Sequence, residues 1–314
     1  MSALLQFNGI AAAKLPARPA HLAIGMFDGV HLGHQSVIES AMHSARRSDG
    51  VAGVLTFWPH PSALFRPDQP TRLMMTPAMK RAVLGRLGLD FIIEQEFTRE
   101  FAQTDAREFV ALLRRSLPQL AAVYVGENWR FGRGREGDVA VLVAEARPHG
   151  LEVFSAERIN YNGAPISSSR IRELLAKGEI AEANALLGYT YFATGVVQRG
   201  RRLGHQLGFP TLNLPWEPEA APAFGVYAVE VSGHGRTAVP GVANYGLRPT
   251  VEETKHPLLE VHLLGTSALT YGDAITVTWL KFLRPEARFA GMEELRRQIG
   301  KDRDAAREFF RNRT

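Results

Sequence analysis

The chain has 314 residues, of which 45% are hydrophobic and 22% are charged, a composition typical of a folded globular protein. This length exceeds what a single hydrophobic core usually supports, so we expect two domains. The absence of cysteine excludes disulfides, thiolate nucleophiles, Cys-type zinc sites and iron–sulfur clusters. The net charge of +5 suits nucleic acid or phosphorylated small molecules and does not decide between them.

Signals for export or membrane insertion are not found in the sequence. Residues 1–20 contain no basic leader ahead of an apolar run, and no stretch of about 18 apolar residues occurs. We therefore expect a cytoplasmic protein.

The first 187 residues alternate short apolar runs with helical patterns. The runs HLAIG, VAGVLTF, DFIIEQ and AAVYVG are each followed by a segment with helical spacing. This alternation predicts an α/β domain with a parallel sheet and crossover helices. Such sheets bind ligands beyond the carboxyl ends of their strands, where the strand order reverses.

After residue 187 the pattern changes to short strand-like runs separated by Gly and Pro. The runs FATGVVQRG, GFPTLNL, GVYAVEV, AVPGVANYG, LLEVHLL and AITVTWLKFLR predict a compact antiparallel β-barrel. The last segment has helical spacing, and we expect its apolar stripe to pack against the barrel. The predicted domains are residues 1–187 and 188–314.

The first candidate site is the segment GMFDGVHLGHQ, which follows a strand and opens a helix. Its glycines, Gly25, Gly29 and Gly33, allow a ligand to approach the backbone closely. His31 and His34 are three residues apart, so both can face an anion at the positive end of the helix dipole. Imidazole donors there would stabilise the charge that develops when the α-phosphate of ATP is attacked. Two packed histidines, or a zinc pair lacking its other ligands, remain the alternatives.

Residues 25–34 resemble the His-x-Gly-His signature of the nucleotidyltransferase superfamily, and specifically that of the bacterial bifunctional riboflavin kinase/FMN adenylyltransferase family. Three further segments are similar to motifs of this family: Phe57-Trp-Pro-His-Pro61, Gly126-Glu-Asn-Trp-Arg-Phe-Gly132 and Ile166-Ser-Ser-Ser-Arg-Ile-Arg172. Ser169 replaces the usual threonine and keeps its hydroxyl. The resemblance implies that the α/β domain is a Rossmann-like nucleotidyltransferase.

The resemblance also implies roles for individual residues. His31, His34, Asn128 and Arg172 would be catalytic, with Arg172 clamping the leaving phosphates of ATP. The ATP-binding residues would be Gly25, Phe27, Asp28, Gly29, Ser167, Ser168 and Arg172, and the flavin-binding residues would be Phe57, Pro59, Pro61 and Asn128. Without the resemblance, these segments read as a helix N-cap, a turn and loop packing.

Two other nucleotide-binding motifs are relevant to this sequence. Residues 132–137 match G-x-G-x-x-G, and Glu157 follows about 20 residues later. This match comes late in the domain and carries two arginines and a glutamate at its variable positions, so we do not expect NAD binding. The chain contains no G-x-x-x-x-G-K-[ST] sequence, which excludes an ordinary P-loop kinase.

The second candidate site is the segment GFPTLN. Thr211 and Asn213 are two residues apart on a strand-like run, so both project to one face and offer oxygens suited to Mg²⁺ or phosphate. The glycines at 195, 200, 204 and 208 suggest a flap that closes over ATP. A Gly-rich hairpin with a polar outer face is the alternative.

Glu260 is the candidate general base of the second site. Alternation in LLEVHLL puts Glu260 and His262 on the face opposite Val261 and Leu263, which also fits a solvated polar face. The resemblance makes Glu260 the acceptor of the proton from riboflavin's terminal ribityl hydroxyl. Four riboflavin kinase motifs occur in order: Gly208-Phe-Pro-Thr-Leu-Asn213, Gly225-Val-Tyr-Ala228, Arg248-Pro-Thr250 and Leu259-Glu-Val-His262.

This half of the chain also carries implied ligands and departures from the family. Gly208, Thr211 and Asn213 would bind ATP, Thr211 and Asn213 would hold the metal, and Arg248 would contact the flavin. His205, Leu247 and Leu269-Thr270 differ from the usual residues. Histidine lacks the bidentate fork of arginine, so His205 would weaken phosphate affinity.

The resemblance implies that ATP phosphorylates riboflavin to FMN and then adenylylates FMN to FAD, with Mg²⁺ as cofactor. We expect ATP, riboflavin and FMN as small-molecule substrates, without nucleic-acid or membrane partners. Two alternatives remain. One is a nucleotidyltransferase for another phosphorylated substrate with a silent barrel, and the other is a nucleic-acid-binding module.

Overall fold

The computed structural model describes residues 4–200, 207–233, 235, 237–247 and 256–313. Arg248, Gly204 and His205, which were singled out above, lie outside the described residues. The chain divides into two compact units, Met1–Ser168 and Ser169–Thr314.

The first unit is an α/β unit with a parallel sheet. Its strands are β1 (Leu5–Asn8), β2 (Ala20–Ile24), β3 (Val51–Trp58), β4 (Phe91–Glu96), β5 (Leu120–Gly126) and β6 (Glu152–Ala156), followed by the hairpin of β7 (Asn160–Tyr161) and β8 (Ala164–Pro165). Its helices are α1 (Leu32–Arg47), α2 (Pro61–Phe65), α3 (Pro77–Arg86), α4 (Ala106–Ser116) and α5 (Val139–Ala146). Single 3-10 turns cover Ile10–Ala12, Phe101–Gln103, Arg133–Arg135 and Arg147–His149.

The sheet order is β1-β4-β3-β2-β5-β6, and neighbouring strands are parallel. The chain runs outward from β2 through β3 to β4, then crosses to β5 on the other side of β2. The order therefore reverses between β2 and β5, and a ligand crevice is expected beyond their carboxyl ends. The segments that follow these two strands carry the histidine pair and Asn128. The predicted α/β class is confirmed.

The central strands β2 and β3 are nearly continuous apolar runs, interrupted by His21 and Thr56, because helices cover both faces of the sheet. All residues of β2 and the first seven of β3 are buried. Gly53 of β3 lies so close to Phe91 of β4 that an added Cβ would lie 2.4 Å from the Phe91 ring and carbonyl. The helices begin at side chains that accept backbone N–H bonds: Thr76 caps α3, Asp105 caps α4 and Asp138 caps α5.

The second unit is an antiparallel barrel with helices before and after it. Its elements are α6 (Ser168–Lys177), α7 (Ile180–Leu187), β9 (Phe192–Val196), β10 (Leu212–Pro215), β11 (Gly225–Gly233), β12 (Val239–Leu247), β13 (Pro257–Leu263), β14 (Ala274–Pro285) and α8 (Met292–Arg311). The first two helices are separate because Gly178 adopts φ 76° and ends α6.

The strand order of the barrel is β10-β13-β12-β11-β14-β9. The two end strands approach each other where Gln198 forms an antiparallel bridge with Asn213, so the barrel is nearly closed. Its interior holds Trp279, Tyr227 and Tyr245, each fully buried. Tyr227 and Trp279 meet edge to face with 4.6 Å between ring centroids, an arrangement that aromatic pairs favour. The predicted barrel is confirmed.

The C-terminal helix α8 covers one side of the barrel, as predicted. Ala306 is buried against Val226, Ala228 and Val242, with Phe309 and Phe310 beside it. In the described part of the chain, no helix combines the length and apolar character needed to cross a membrane.

Candidate active sites

The two histidines of the first site lie at the start of α1. His31 is the N-cap residue, and its Nδ1 accepts the backbone N–H of His34 at 3.3 Å. The two imidazole rings stack with 3.7 Å between centroids and 15° between planes. Because Nδ1 of His31 is an acceptor, the neutral ring carries its proton on Nε2. His31 can therefore donate that N–H to a ligand.

His34 is poised as a neutral imidazole. Burial, the neighbouring His31 and then Lys80 hold the pKa of His34 well below 6.5. Its ring meets Phe27 edge-on with 5.4 Å between centroids. Within the described residues, the buried Nδ1 of His34 has no hydrogen-bond partner. Buried polar atoms are nearly always paired, so this nitrogen is a position at which a ligand would gain a bond.

The loop before α1 has a strained backbone. Phe27, Gly29 and Val30 adopt φ of 51°, 81° and 40°, a region that residues with a Cβ rarely occupy. Phe27 and Val30 are fully buried, which holds them in place. Gly33 sits under the first ring, since an added Cβ would lie 3.2 Å from His31.

Asp28 fixes the same loop from inside. Its carboxylate is buried and accepts the backbone N–H of Met74 at 3.0 Å. Its carbonyl oxygen accepts the hydroxyl of Ser168 at 2.9 Å. Ser168 thus contacts the backbone that carries the histidines, while Ser167 precedes it at the start of α6. Arg172 lies four residues after Ser168 on α6 and is half-buried.

Asn128 lies at the expected end of β5. Its side chain is exposed, and its Nδ2 donates to Glu127 Oε1 at 2.9 Å. Since β5 is the sheet neighbour of β2, the loop that carries Asn128 borders the crevice beyond both strands. Gly25 begins the loop on the β2 side.

The predicted flavin wall lies at the end of β3. Phe57 is 8% exposed and packs between Phe97 and Phe101 with centroid distances of 6.1 and 5.9 Å. It also lines a small cavity with Asp28, Trp58 and Lys80. Pro59 and Pro61 are half-buried, and Pro61 opens α2 behind the N-cap His60.

The G-x-G-x-x-G match forms a turn. Phe131 and Gly137 pair as an antiparallel bridge, and an added Cβ on Gly137 would lie 2.5 Å from the Phe131 ring. The helix that follows begins two residues later, at Val139. The glycines therefore close a turn on Phe131, and they do not place a phosphate at a helix start as the dinucleotide fingerprint does.

The second site is built on a row of residues across three strands. Glu260 of β13 lies directly opposite Asn213 of β10 on one side and Asn244 of β12 on the other. Directly opposed residues project to the same face of a sheet, with Cβ atoms about 5 Å apart. The sequence analysis identified Asn213 and Glu260 and missed Asn244, because no local pattern reveals which residues pair across strands.

This row faces a cavity of about 400 Å³. Thr211 and His262 also line it, and His262 Nδ1 donates to the Pro210 carbonyl at 2.9 Å. The apolar part of the wall includes Leu258, Phe289, Leu295 and Ile299. Leu295 and Ile299 lie on α8, so the helix whose apolar stripe was predicted to pack on the barrel also lines the cavity.

A buried ion pair supports the α8 wall. Arg284 Nε and Nη2 donate to both carboxylate oxygens of Asp302 at 2.8 and 2.7 Å, and Gln298 adds a third bond at 2.8 Å. Burial raises the pKa of Glu286, while the positive charge of Arg284 opposes this shift. These cavity residues carry no recognisable local motif.

The residues that depart from the family pattern lie at different places in the barrel unit. Leu247 is exposed and lines the cavity. Leu269 and Thr270 lie in the turn before β14, where the Thr270 N–H donates to Asp273 Oδ2 at 2.7 Å. Gly208 is exposed and adopts φ 85°.

The oxygens at the second site fit a hard divalent cation. Thr211 offers a hydroxyl and Asn213 an amide oxygen beside the Glu260 carboxylate, the ligand types that Mg²⁺ accepts. The described residues contain no group of three or more His, Asp or Glu arranged to hold a metal. Mg²⁺ held with few protein ligands relies on substrate phosphates and water for the rest.

Comparison with known proteins covers both units. Residues 14–170 match the family model described as FAD synthetase, and residues 187–310 match the one described as riboflavin kinase. The bifunctional riboflavin kinase/FMN adenylyltransferase of Escherichia coli (strain K12) is 38% identical over 298 residues, which cover 95% of each chain. The protein of the same name from Bacillus subtilis (strain 168) is 34% identical and covers 93% of this chain and 92% of its own.

A solved structure shares the fold along nearly the whole chain. A crystal structure described as a macrolide-efflux protein from Streptococcus pneumoniae superposes with a TM-score of 0.87 at 26% identity, covering 97% of this chain and 98% of that one. The two family matches and the curated relatives define the class as a transferase enzyme. The chain belongs to the bifunctional riboflavin kinase/FMN adenylyltransferase family, to which both family matches and the curated relatives point.

Proposed function

We propose that the barrel unit phosphorylates riboflavin to FMN and that the α/β unit transfers the adenylyl group of ATP to FMN, giving FAD. The observation that carries this division is the row Asn213–Glu260–Asn244 facing the cavity of about 400 Å³. It puts a carboxylate base beside neutral oxygen ligands in a cavity with an apolar wall. The residues of the α/β unit that the structure describes hold no such arrangement, and His31 and His34 offer imidazole donors instead.

In the kinase reaction, Glu260 accepts the proton of the terminal ribityl hydroxyl. The ribityl oxygen bonds to the γ-phosphorus of ATP as the bond to the β,γ-bridging oxygen breaks, and ADP leaves. Thr211 and Asn213 would hold Mg²⁺, which supplies charge neutralisation for the phosphates when bound. The apolar wall that includes Leu295 and Ile299 offers a surface for the isoalloxazine ring.

In the adenylyl transfer, a phosphate oxygen of FMN attacks the α-phosphorus of ATP and pyrophosphate leaves. Nε2–H of His31 and one N–H of neutral His34 stabilise the charge that develops on the phosphate oxygens. No proton need be removed from the FMN phosphate, so neutral donors suffice. Arg172 would clamp the leaving pyrophosphate, with Ser167 and Ser168 beside it.

The remaining roles extend this proposal. Gly25, Phe27, Asp28, Gly29 and Gly208 would shape the ATP sites through their backbone, and Asn128 would orient phosphates. Phe57, Pro59 and Pro61 would face the flavin of FMN, and Arg248 would contact riboflavin. We assign residues 1–187 to the adenylyltransferase domain and 188–314 to the kinase domain, since the riboflavin kinase match begins at residue 187. As expected from the sequence, we also propose that the protein is cytoplasmic and has no nucleic-acid or membrane partner.

The test is to incubate the purified chain with riboflavin, ATP and Mg²⁺, and separately with FMN, ATP and Mg²⁺, and to resolve the flavins by chromatography. FMN and FAD in the first tube are the expected products. FAD in the second tube alone would mean that the kinase is disabled. No product in either tube would contradict the proposal and direct attention to other phosphorylated substrates.

A further inference from the structure

Lys80 is a buried lysine to which neither reaction above assigns a role. It lies on α3 and is 6% exposed. Its Nζ donates to Thr56 Oγ1 at 2.8 Å and to the Met26 carbonyl at 3.3 Å. Both acceptors are neutral oxygens. Burying a cation against neutral partners is costly, and a lysine at such a position calls for a reason other than stability.

The bonds of Lys80 tie the strained loop to the sheet. Thr56 Oγ1 of β3 also donates to the Met26 carbonyl, at 3.1 Å. The Lys80 ammonium, the Thr56 hydroxyl and the Met26 carbonyl are therefore joined pairwise by three hydrogen bonds. Met26 immediately precedes Phe27, whose left-handed backbone and ring contact set the position of His34.

The charge of Lys80 also reaches the histidine pair. It is one of the groups that lower the pKa of His34, after burial and His31. The charged groups around Lys80 itself are Glu94 on β4, Asp28 in the loop and Arg81 on α3. Arg81 already pairs with Glu94 at 3.2 Å, so part of the Glu94 charge is neutralised.

We propose that Lys80 is a positioning residue for adenylyl transfer, which holds the Met26–Phe27 backbone in place and adds its charge to the burial and the neighbouring His31 that keep His34 neutral. The proposal rests on the assignment of adenylyl transfer to the α/β unit. It differs from a structural role because the protonated lysine, and not merely its bulk, is required. Burial lowers the pKa of Lys80 from 10.5 to about 8, so the required form is lost as the pH rises through that value.

The test compares Lys80→Met with Lys14→Met. The first substitution roughly keeps the length of the side chain and removes its charge, and the second removes an exposed lysine of the same unit. For Lys80→Met we expect kcat for FMN-to-FAD conversion to fall about 10- to 100-fold at neutral pH, the usual cost of losing a supporting residue. KM for ATP should change little. Lys14→Met should match the unchanged chain. Circular dichroism and thermal unfolding of the same samples show whether the α/β unit is folded, and riboflavin kinase activity should be unchanged in all of them.

The pH profile separates the proposal from a packing role. In the unchanged chain, kcat for FAD formation should decline above about pH 8, and this limb should be missing in Lys80→Met. Thr56→Val, which keeps the lysine and removes its hydroxyl partner, should lower kcat and retain the limb. The proposal is overturned if Lys80→Met keeps kcat within about twofold, or if it shows the same alkaline limb.

One result would bear on the proposed function instead. If the unchanged chain converts no FMN to FAD, the assignment of the first site fails. The proposed influence of Lys80 on His34 can then still be measured by NMR titration. Lys80→Met should raise the pKa of His34, and an unchanged His34 pKa would refute the electrostatic part of the proposal.

Discussion

The imidazole rings of His31 and His34 stack with 3.7 Å between their centroids, so a charge on either ring is felt directly by the other. Burial and this neighbour both disfavour the imidazolium form of His34. A histidine whose pKa is lowered on folding binds a proton more readily in the unfolded chain. The stability it confers is therefore present above pH 6.5 and declines as the pH falls below the unfolded-state value.

We expect the Cε1–H resonance of His34 to show no titration between about pH 6 and about pH 8, the range over which an ordinary histidine changes charge. The melting temperature of the first unit should fall as the pH drops from 6.5, and less so in His34→Gln. NMR and thermal unfolding would measure the two effects. Titration of His34 near its ordinary pKa would contradict the neutral-donor role.

Substitutions at the two sites should separate the two reactions. His31→Ala combined with His34→Ala should lower FMN-to-FAD conversion by about 10²- to 10⁴-fold, since it removes the donors to the developing charge. Glu260→Ala should suppress FMN formation to a similar extent and leave FAD formation from FMN intact. Loss of both reactions in a folded variant would mean that the two-site assignment is wrong.

Gly200 provides a test of the proposed magnesium ligand without altering that ligand. A Cβ on Gly200 would lie 2.5 to 2.6 Å from the amide atoms of Asn213, and Asn213 is buried and cannot swing into solvent. Gly200→Ala should therefore displace the amide, lower riboflavin kinase kcat/KM about 10-fold and raise the Mg²⁺ concentration needed, as supporting-residue losses do. Titration of kinase rate against Mg²⁺ measures this.

The matched control is Gly300→Ala. Gly300 lies on α8, and an added Cβ there would have no atom within 4 Å apart from its own helix backbone and chain neighbours. It should leave the Mg²⁺ dependence unchanged and add about 1 kcal/mol of helix stability. An unaltered Mg²⁺ requirement in Gly200→Ala would count against Asn213 as a ligand.

Breaking the ion pair between Arg284 and Asp302 should lower the free energy of unfolding much more than breaking a neighbouring surface pair. Asp302 has 8% side-chain exposure, so Asp302→Ala leaves a guanidinium partly buried without its carboxylate. We expect a loss of about 3 kcal/mol in the free energy of unfolding and a raised KM for riboflavin, because α8 lines the cavity. Urea unfolding and kinase kinetics would measure both.

Asp304→Ala serves as the comparison, since Asp304 pairs with Arg303 at 2.9 Å with 62% of its side chain exposed. Its loss should cost at most about 0.5 kcal/mol. Equal losses for the two variants would show that the buried pair has no special contribution.

Much of the architecture could be predicted because burial imposes periodicity. Strands β2 and β3 are apolar except for His21 and Thr56, since helices cover both faces of the sheet. Alternating apolar residues made the strands of the barrel predictable. The edge strands β1 and β6 were not predicted. They are short and mostly exposed, with patterns of one or two intermediate residues among exposed ones, and parallel pairing along one edge leaves little trace in composition.

The candidate sites were predictable where chemistry sits in a contiguous motif. His31 and His34 share one helical turn, and Thr211 and Asn213 share one strand-like segment. Asn244, Lys80 and Asp302 could not be found in this way. Their placement depends on strand pairing or on helix packing between residues far apart in the chain, which sequence spacing does not encode.

Within the part of the chain that the structure describes, the two end strands of the barrel meet in one bridge, between Gln198 and Asn213, whereas the other strand pairs are ladders of several residues. Among the described residues, this bridge is the least extensive contact between strands of the barrel. One of its two residues, Asn213, is a proposed Mg²⁺ ligand. A ligand that binds Asn213 would then help to hold the two end strands together. Mg²⁺ and ATP would bind the closed barrel in preference to an open one and so stabilise the closed form. The resistance of this unit to proteolysis should therefore increase with the concentrations of Mg²⁺ and ATP.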